Sequence, residues 1–535
     1  MSVTPQSVQR VLETIPDLYR GPGGAVAVLK DGELIGQHVW GYADVDQRIA
    51  MKSDTLVPIC SITKQLVAAA MLDLERNPPP EIAAHGDIRT QLTDKIREMV
   101  RPELHGSGMT VEYLCDMQSG FRDYWALCTP LGSKPDTPFS IADDSRPILD
   151  RIKTLHFQPG MQFSYSNTNW HILGRAIEAI SKKPLPDLVA ERVFAPAGMK
   201  TASLVPDTAQ QPGPCVGYEG DEQHGFVPAT NRIEWSGDAG AIASLEDMIS
   251  YERHFDQSWS GPQSWYRAAA TPKAFGDGRP ARYRYGLKHV ELHGVATVGH
   301  GGALRGYRLH RRYVPSERLS AIVLFNHEAS AEEAAAHILT KVLNLSSPEP
   351  QAVSPAREWF GVFLDRESQM AVTVSPGSSG KLLIAYPRHP ESVALVGPKE
   401  ALSRDLAATI DGDSLRIDRI EDNLKIDAQR LAPLDPALDG SFLAGDYHCK
   451  ELDSVLHCSG HGRMLYATFD GHFGQGPAHL MRPLGGDVWA MADPRGMDAP
   501  APGDWTVVLH RNEHGGIVGL TIGCWLARGL EFVRI

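Results

Sequence analysis

An unbroken apolar run, residues 66–72, follows directly after the segment Pro58-Ile-Cys-Ser-Ile-Thr-Lys-Gln65. The run is rich in Ala, Leu and Met, and it ends shortly before three consecutive prolines that a helix interior would not tolerate. This pattern predicts a buried helix of roughly three to four turns that begins close to Ser61.

Strand-like patterns lie on both sides of this helix along the chain. Residues 25–30 and 33–40 are joined by Asp31-Gly32, a strong hairpin signal. Strands at both ends with helices between them predict an α/β domain built on one antiparallel sheet. The remaining predicted strands are 281–291, 295–300, 305–313 and 319–326, and the predicted helices are 7–19, 87–101, 110–117, 169–182, 185–193 and 330–343.

The pattern changes after residue 345. Residues 346–355 are rich in Ser and Pro, as linkers often are, and short alternating runs with turn residues dominate beyond them. Such runs are typical of antiparallel β-barrels or sandwiches. A Gly-x-aromatic sequence recurs at Gly361 and Gly445, which indicates two modules of about 90–100 residues each. We therefore predict a multidomain α/β plus all-β chain with domains 1–346, 347–435 and 436–535.

Composition narrows the possible partners. The 535 residues are 42% hydrophobic and 22% charged, as in ordinary globular proteins, and the net charge of −13 disfavours nucleic acid and anionic membranes. No apolar segment reaches the length of a membrane span, and the first ten residues lack the pattern of a signal peptide. The seven scattered cysteines suit reduced thiols, so we expect a cytoplasmic protein.

Ser61 and Lys64 form a Ser-x-x-Lys motif at the predicted helix start. Residues three apart share a helix face, and the N-terminal dipole favours developing negative charge, so a serine nucleophile beside an amine is one interpretation. A capping serine followed by a solvated lysine is the other. A second copy, Ser378-Ser-Gly-Lys381, has no helical pattern after it and is predicted to be a loop.

Two further motifs add groups that acyl transfer needs. Tyr165-Ser-Asn167 offers a phenol that could exchange protons beside Lys64, and an amide that could position a substrate. His300-Gly-Gly302 ends a predicted strand, where Gly302 would let a substrate backbone come close and His300 could complete a proton network with Ser61 and Tyr165. The N–H groups of Ala303 and Ser61 are candidate oxyanion donors. Whether Lys64 or Tyr165 is the base stays open.

A cluster of histidines and cysteines raises the possibility of a metal site. Its spacing matches no standard zinc motif, and neighbouring strand residues point to opposite faces of a sheet. We expect neither a metal nor an organic cofactor. The cluster comprises His448, Cys449, His457, Cys458 and His461.

Ser-x-x-Lys, Tyr-x-Asn and His-x-Gly, in this order, resemble the motif set of the penicillin-recognising serine hydrolases, on their class C β-lactamase and DD-peptidase side. Longer segments resemble the bacterial D-aminopeptidase family almost throughout. The resemblance implies a catalytic α/β domain followed by two antiparallel β-barrels. The segments that carry it are Gln118-Ser-Gly-Phe-Arg-Asp-Tyr-Trp-Ala-Leu127, Arg192-Val-Phe-Ala-Pro-Ala-Gly-Met-Lys200, Ala229-Thr-Asn-Arg-Ile-Glu-Trp235, Gly299-His-Gly-Gly-Ala-Leu-Arg-Gly306, Met497-Asp-Ala-Pro500 and Gly523-Cys-Trp-Leu-Ala-Arg-Gly529.

Residues 494–504 contain three prolines and two glycines, which predicts a stiff protruding loop. By composition alone this loop is a barrel connection. The resemblance implies more: the loop would enter the active site, where Asp498 would meet the free α-ammonium of a substrate. A carboxylate in a narrow site favours a charged amine and rejects a blocked one.

The expected activity is removal of N-terminal D-amino acids from peptides, amides and esters through an acyl-enzyme on Ser61. The alternatives are a β-lactamase, a DD-peptidase or an esterase of the same family, or a penicillin-binding sensor without turnover. The resemblance also implies a homodimer and slow acylation by some β-lactams.

Overall fold

The computed structural model describes residues 4–346, 355–386, 390–435, 438–461, 464–499 and 503–535. An N-terminal α/β domain is followed by two closed antiparallel β-barrels, which confirms the predicted fold class. The domain boundaries that we predict after residues 346 and 435 adjoin residues 347–354 and 436–437. These segments lie outside the described residues, so the boundaries stay predictions.

The N-terminal domain is built on an antiparallel sheet with the strand order β3-β2-β1-β13-β12-β11-β10-β9. The predicted hairpin at Asp31 and Gly32 is present, with φ angles of 53° and 78° that suit a type I′ turn. The strands are β1 (Gly23–Lys30), β2 (Glu33–Asp44), β3 (Ile49–Ala50), β4 (Val57–Pro58), β5 (Ser203–Leu204), β6 (Tyr218–Asp221), β7 (Gly225–Pro228), β8 (Ala241–Ala243), β9 (Tyr283–Arg284), β10 (Leu287–Leu292), β11 (Val295–Leu304), β12 (Tyr307–Val314) and β13 (Leu319–Phe325).

Strand β11 is longer than predicted. We expected it to end at His300, but it continues to Leu304 through two glycines that the pattern does not favour in a strand. Its continuation carries Gly302 and Ala303 along the sheet, beside the start of the Ser61 helix.

Helices cover both faces of this sheet. Helices α1 and α14 pack on one face over an apolar cluster that includes Val8 and Val26, while the larger helical region covers the other. No helix in the described parts of the chain has the length and apolarity to cross a membrane. The helices are α1 (Pro5–Leu12), α2 (Ile15–Leu18), α3 (Thr63–Arg76), α4 (Pro80–Ala83), α5 (Ile88–Met99), α6 (Val111–Cys115), α7 (Tyr124–Cys128), α8 (Arg146–Leu149), α9 (Asn167–Ser181), α10 (Leu185–Val189), α11 (Ala195–Ala197), α12 (Leu245–Ser260), α13 (Trp265–Ala270) and α14 (Ala331–Val342).

Several short helices were not predicted, and two further differences from the predicted helices have a clear physical basis. The segment predicted as one helix over 7–19 forms α1 and α2 with a break between them. Helix α12 was not predicted, because buried acidic residues interrupt its apolar pattern. Glu252 is one of them, and its carboxylate accepts hydrogen bonds of 2.6 and 2.7 Å from Arg311 of β12, which compensates its charge inside the core.

The two barrels follow the alternating pattern of their sequences. Each closes by pairing its first strand with its last. The first contains β14 (Gly361–Asp365), β15 (Ala371–Pro376), β16 (Leu382–Ala385), β17 (Glu391–Gly397), β18 (Glu400–Leu402), β19 (Leu406–Asp411), β20 (Ser414–Arg419) and β21 (Leu424–Arg430). The second contains β22 (Gly445–Cys449), β23 (Ser454–His461), β24 (Met464–Gly471), β25 (Gly474–Gly485), β26 (Val488–Met491), β27 (Trp505–Arg511), β28 (Ile517–Cys524) and β29 (Ala527–Arg534).

The histidines and cysteines at 448–461 lie on two faces of the second barrel. Cys449 and Cys458 are buried inside it. On the outside, His457 contacts the carboxylate of Asp446 at 2.8 Å. Neighbouring residues of these strands therefore point to opposite faces of the barrel wall, which is the arrangement that argued against a shared metal site.

The second barrel packs against the N-terminal domain next to helix α7. The N–H of Asp123 donates to the carbonyl of Leu526 at 2.9 Å, and Nε of Arg122 donates to the carbonyl of Arg528 at 3.0 Å. Contact is also close at Gly132, where a Cβ would lie 1.8 Å from the carbonyl oxygen of Gly474. The second barrel thus holds residues 122–132, the segment that supplies Asp123 to the site described next.

Candidate active site

Ser61 lies in a tight turn at the start of helix α3. The preceding residue, Cys60, has a φ of 50°, and the turn Cys60–Ile62 leads directly into the helix. The helix is capped at Ile62 without a side-chain hydrogen bond, so Ser61 does not act as a capping serine. Its side chain is partly exposed, as a nucleophile that meets a substrate must be.

Lys64 is fully buried rather than solvated, and its Nζ makes three hydrogen-bond contacts. They reach Oγ of Ser61 at 2.9 Å, Oδ1 of Asn167 at 2.8 Å and the carbonyl of Asp238 at 2.7 Å. A neutral amine has two hydrogens, and two of these partners can only accept. The remaining lone pair would then point at the Ser61 hydroxyl, which is the arrangement that a general base requires.

The electrostatics favour Lys64 over Tyr165 as that base. Burial lowers the pKa of Lys64 to about 8, against the opposing effect of the carboxylates of Asp238 and Asp123. Burial also raises the pKa of Tyr165, although the nearby Ser61 hydroxyl opposes this rise. Tyr165 therefore stays a neutral phenol near pH 7, while a fraction of Lys64 loses its proton. The centroid of the Tyr165 ring lies 5.0 Å from Nζ of Lys64, so both side chains border the Ser61 hydroxyl.

Asn167 faces the lysine from the first turn of helix α9. Its Oδ1 accepts from Lys64, and its N–H donates to Oδ2 of Asp123 at 2.5 Å. The oxygen of this amide thus positions the base, in addition to the substrate contact that the sequence predicts.

His300 lies beside Tyr165 but hydrogen bonds elsewhere. Its Nδ1 is 2.5 Å from the carbonyl of Gly301, and its Nε2 is 2.9 Å from the hydroxyl of Tyr283. A carbonyl only accepts, so Nδ1 carries the proton and Nε2 accepts from Tyr283. Burial is the main cause that lowers the pKa of His300 to about 3, and the charge of Lys64 adds to it. The ring is therefore neutral. We predicted that His300 completes a proton network with Ser61 and Tyr165. Its ring lies beside that of Tyr165, with the centroids 6.2 Å apart, but its described hydrogen bonds go to Tyr283 and to Gly301.

Strand β11 brings a backbone donor to the nucleophile. A Cβ on Gly302 would lie 2.3 Å from the carbonyl oxygen of Ile59, so only glycine lets the strand come this close to the Ser61 turn. Leu304 pairs with Tyr307 across a two-residue loop, and residues that close such a loop bond to each other. The N–H of Ala303 therefore points away from β12, on the side where an oxyanion beside Ser61 would lie.

Asp498 reaches this site from the second barrel. Its backbone oxygen accepts from the N–H of Arg305 at 2.9 Å, immediately after the β11 strand end. Burial and the neighbouring carboxylate of Asp123 raise the pKa of Asp498 to about 7. Its charge also contributes to the pKa values of Lys64 and Tyr165, so the carboxylate lies in their electrostatic range. Residues 500–502 of the predicted loop lie outside the described residues.

Comparisons with known proteins agree with this geometry. A family model described as "Beta-lactamase" matches residues 8–343, and one described as "D-aminopeptidase, domain B" matches residues 352–533. The D-aminopeptidase of Brucella ovis is 40% identical over 529 residues, with 99% of each chain covered. That of Brucella anthropi is 40% identical over 529 residues, covering 99% of this chain and 98% of the relative. The chain belongs to the D-aminopeptidase family.

The same family lies within the β-lactamase-like serine hydrolases, so the chain is an enzyme of that class, as the three motifs predicted. A solved structure, the octameric penicillin-binding protein homologue from Pyrococcus abyssi, aligns with a TM-score of 0.55 at 18% identity. The alignment covers 79% of this chain and 99% of that one, which supports the fold.

Three residues of this D-aminopeptidase-family site were missed by the sequence analysis. Asp238 contacts Lys64 through its backbone carbonyl, a contact that no side-chain motif reveals. Asp123 lies in a segment that matched the family, but nothing in that segment shows that it bonds to Asn167. Tyr283 comes from a short edge strand, β9, and only the folded sheet places it against His300.

The pKa of Lys64 leads to a pH prediction. We expect the rate of inactivation by phenylmethanesulfonyl fluoride, which has no titratable group, to rise with pH as one titration centred near 8, because Ser61 is activated when Lys64 loses its proton. The carboxylates of Asp123, Asp238 and Asp498 raise the pKa of Lys64. Asp498→Asn should therefore shift the midpoint downward. A midpoint near that of free lysine, about 10, would contradict the lowered pKa of Lys64, and an unchanged midpoint in Asp498→Asn would contradict the assignment of the titration to Lys64.

Proposed function

We propose that this enzyme releases N-terminal D-amino acids from peptides, amides and esters whose α-amine is free. The position of Asp498 carries the proposal: a loop from the second barrel is hydrogen-bonded next to the Ser61 site and supplies a carboxylate there. An ammonium group of a substrate is a complementary partner for that carboxylate. Preference for the D-configuration rests on the relatives, which are named D-aminopeptidases.

The proposed reaction begins with neutral Lys64. It takes the proton of Ser61 as Oγ attacks the substrate carbonyl, and the N–H groups of Ser61 and Ala303 stabilise the oxyanion. As the C–N bond breaks, the proton passes from Lys64 through the Tyr165 hydroxyl to the leaving amine. Water then attacks the ester on Ser61, and the same groups return the proton to Oγ and release the amino acid.

Selectivity for the free amine is the decisive test. We expect wild-type enzyme to cleave D-alanine p-nitroanilide and to cleave its N-acetyl form far more slowly. Asp498→Ala should raise KM for the free amine by about 10- to 100-fold, because a desolvated charge pair is lost, and should leave the pH-independent limit of kcat nearly unchanged. Steady-state kinetics on both substrates measure this.

A matched variant separates charge from shape. Asp498→Asn keeps the size of the side chain and should show the same rise in KM as Asp498→Ala. Faster cleavage of the acetylated substrate by wild type would overturn the proposal, and unchanged KM in both variants would show that Asp498 is only a loop carboxylate.

Two alternative functions make different predictions. A β-lactamase, DD-peptidase or esterase would prefer an acylated amine or a C-terminal carboxylate, and the negative charge of Asp498 opposes the latter. A penicillin-binding sensor would show no turnover at all. The contacts of Lys64 with Ser61 and Asn167 favour turnover, since they leave the base oriented toward the nucleophile.

We further propose a cytoplasmic homodimer that some β-lactams acylate slowly. The cytoplasmic assignment rests on seven cysteines that form no disulfide. Slow acylation by β-lactams rests on the match of the catalytic domain to the β-lactamase family model. The dimer rests on the resemblance to the family.

A further inference from the structure

A carboxylate shared by two arginines ties the Asp498 loop to the catalytic domain at a second point. Glu219 of β6 accepts hydrogen bonds from Nε and Nη2 of Arg305 at 3.1 and 2.9 Å. It also accepts from Nε and Nη2 of Arg495 at 3.3 and 2.7 Å. Arg305 belongs to the β11–β12 hairpin and Arg495 to the loop of the second barrel. We call these three residues the clasp.

The side chains of the clasp differ in their exposure to solvent. Arg305 is 1% exposed, Glu219 12% and Arg495 50%. Bidentate pairing of Arg305 with Glu219 away from water fixes the carboxylate in one orientation. Arg495 then docks onto a preformed partner. Nη1 of Arg305 also donates to the carbonyl of Pro135 at 2.6 Å, to Oδ1 of Asp136 at 2.8 Å and to the carbonyl of Thr230 at 3.0 Å.

Arg305 also joins the clasp to the reacting groups. Its backbone N–H holds the carbonyl of Asp498, and it follows Ala303, the oxyanion donor, by two residues. One residue therefore bonds the loop by its backbone and, through Glu219, by its side chain. A shift of the loop at Arg495 would move Asp498, three residues further on, relative to Ala303.

We propose that Glu219 is a positioning residue whose clasp with Arg305 and Arg495 fixes the Asp498 loop and thereby sets selectivity for a free amine. The proposal rests on the proposed function for its selectivity part. Glu219 and Arg495 act on the substrate through Asp498 and through no contact of their own.

Arg495→Met removes the exposed member and leaves the buried pair intact, so it is the first variant to measure. We expect KM for D-alanine p-nitroanilide to rise by about three- to tenfold, with kcat within about twofold of wild type. Arg495→Lys keeps the charge but loses the bidentate geometry. Its KM should therefore lie between those of wild type and Arg495→Met. Arg511→Met is the matched control, because Arg511 pairs with Asp487 on the same barrel and should leave KM unchanged.

Coupling to Asp498 distinguishes positioning from a general loss of structure. In the Asp498→Ala background, Arg495→Met should raise KM no further, since there is no carboxylate left to position. An additive rise in KM would overturn the proposal. Glu219→Gln also breaks the buried pair with Arg305, so it should raise KM at least as much as Arg495→Met, and it provides an independent variant.

Hydrogen exchange tests the clasp without any substrate. Backbone amides of residues 496–498 should exchange about tenfold faster in Arg495→Met than in wild type or in Arg511→Met. Unchanged exchange would show that the clasp does not hold the Asp498 loop. Faster exchange with unchanged KM would show that the clasp has no role in selectivity. A wild-type enzyme without preference for the free amine would instead overturn the proposed function, and that result is visible before any variant is made.

Discussion

Lys64→Met is expected to lower kcat/KM for every substrate by about 10⁴-fold or more. Methionine fills the buried volume but cannot accept the proton of Ser61. The contacts of Nζ with Asn167 and the carbonyl of Asp238 would be lost at the same time. Single-turnover kinetics and mass spectrometry of the acyl-enzyme would show that acylation itself fails.

The chain provides a control with the same motif. Lys381→Met changes the second Ser-x-x-Lys sequence, which lies in the turn between β15 and β16. We expect wild-type kinetics from this variant. Circular dichroism of Lys64→Met should match wild type, because an apolar residue replaces a buried charge without loss of packing. Residual activity above a hundredth of wild type would exclude Lys64 as the base.

Tyr165→Phe is expected to lower kcat for D-alanine p-nitroanilide by about 10²- to 10³-fold with little change in KM. The phenol is neutral and lies next to Ser61, so its role in the proposed reaction is to pass the proton to the leaving amine. A p-nitrophenyl ester leaves as a stable anion and does not need this proton. Its kcat should therefore fall much less than that of the anilide.

Tyr283→Phe is the matched comparison for this prediction. The Tyr283 hydroxyl donates to His300 and lies outside the path of the proton, so we expect at most about a tenfold loss. An equal loss of ester and anilide cleavage in Tyr165→Phe would indicate that Tyr165 organises the site rather than transfers a proton.

Much of the architecture follows from local patterns. The hairpin at Asp31 and Gly32, the buried helix after Ser61 and the two all-β modules were predicted because each depends on neighbouring residues. Helix α12 was missed for the opposite reason. Its buried Glu252 looks like a surface residue until the folded sheet supplies Arg311 as its partner.

The order of the three motifs identified Ser61, Lys64, Tyr165, Asn167 and His300 as one group, although their chemistry was undecided. Ser61 and Ser378 begin motifs of the same spelling, and the helix pattern distinguished them. The sequence could not decide which group is the base. That depends on burial, which lowers the pKa of Lys64 and raises that of Tyr165.

By itself, the sequence determined the fold class and the family resemblance, and it predicted Ser61 as the nucleophile, because periodicity and motif order can be read along the chain. Only the tertiary structure decided how Lys64 is held, where His300 donates and accepts, and how Asp498 and the Glu219 clasp reach the site. These features join residues that lie tens to hundreds of positions apart. Their charges and hydrogen bonds depend on distance and desolvation, which arise when the second barrel packs against the catalytic domain.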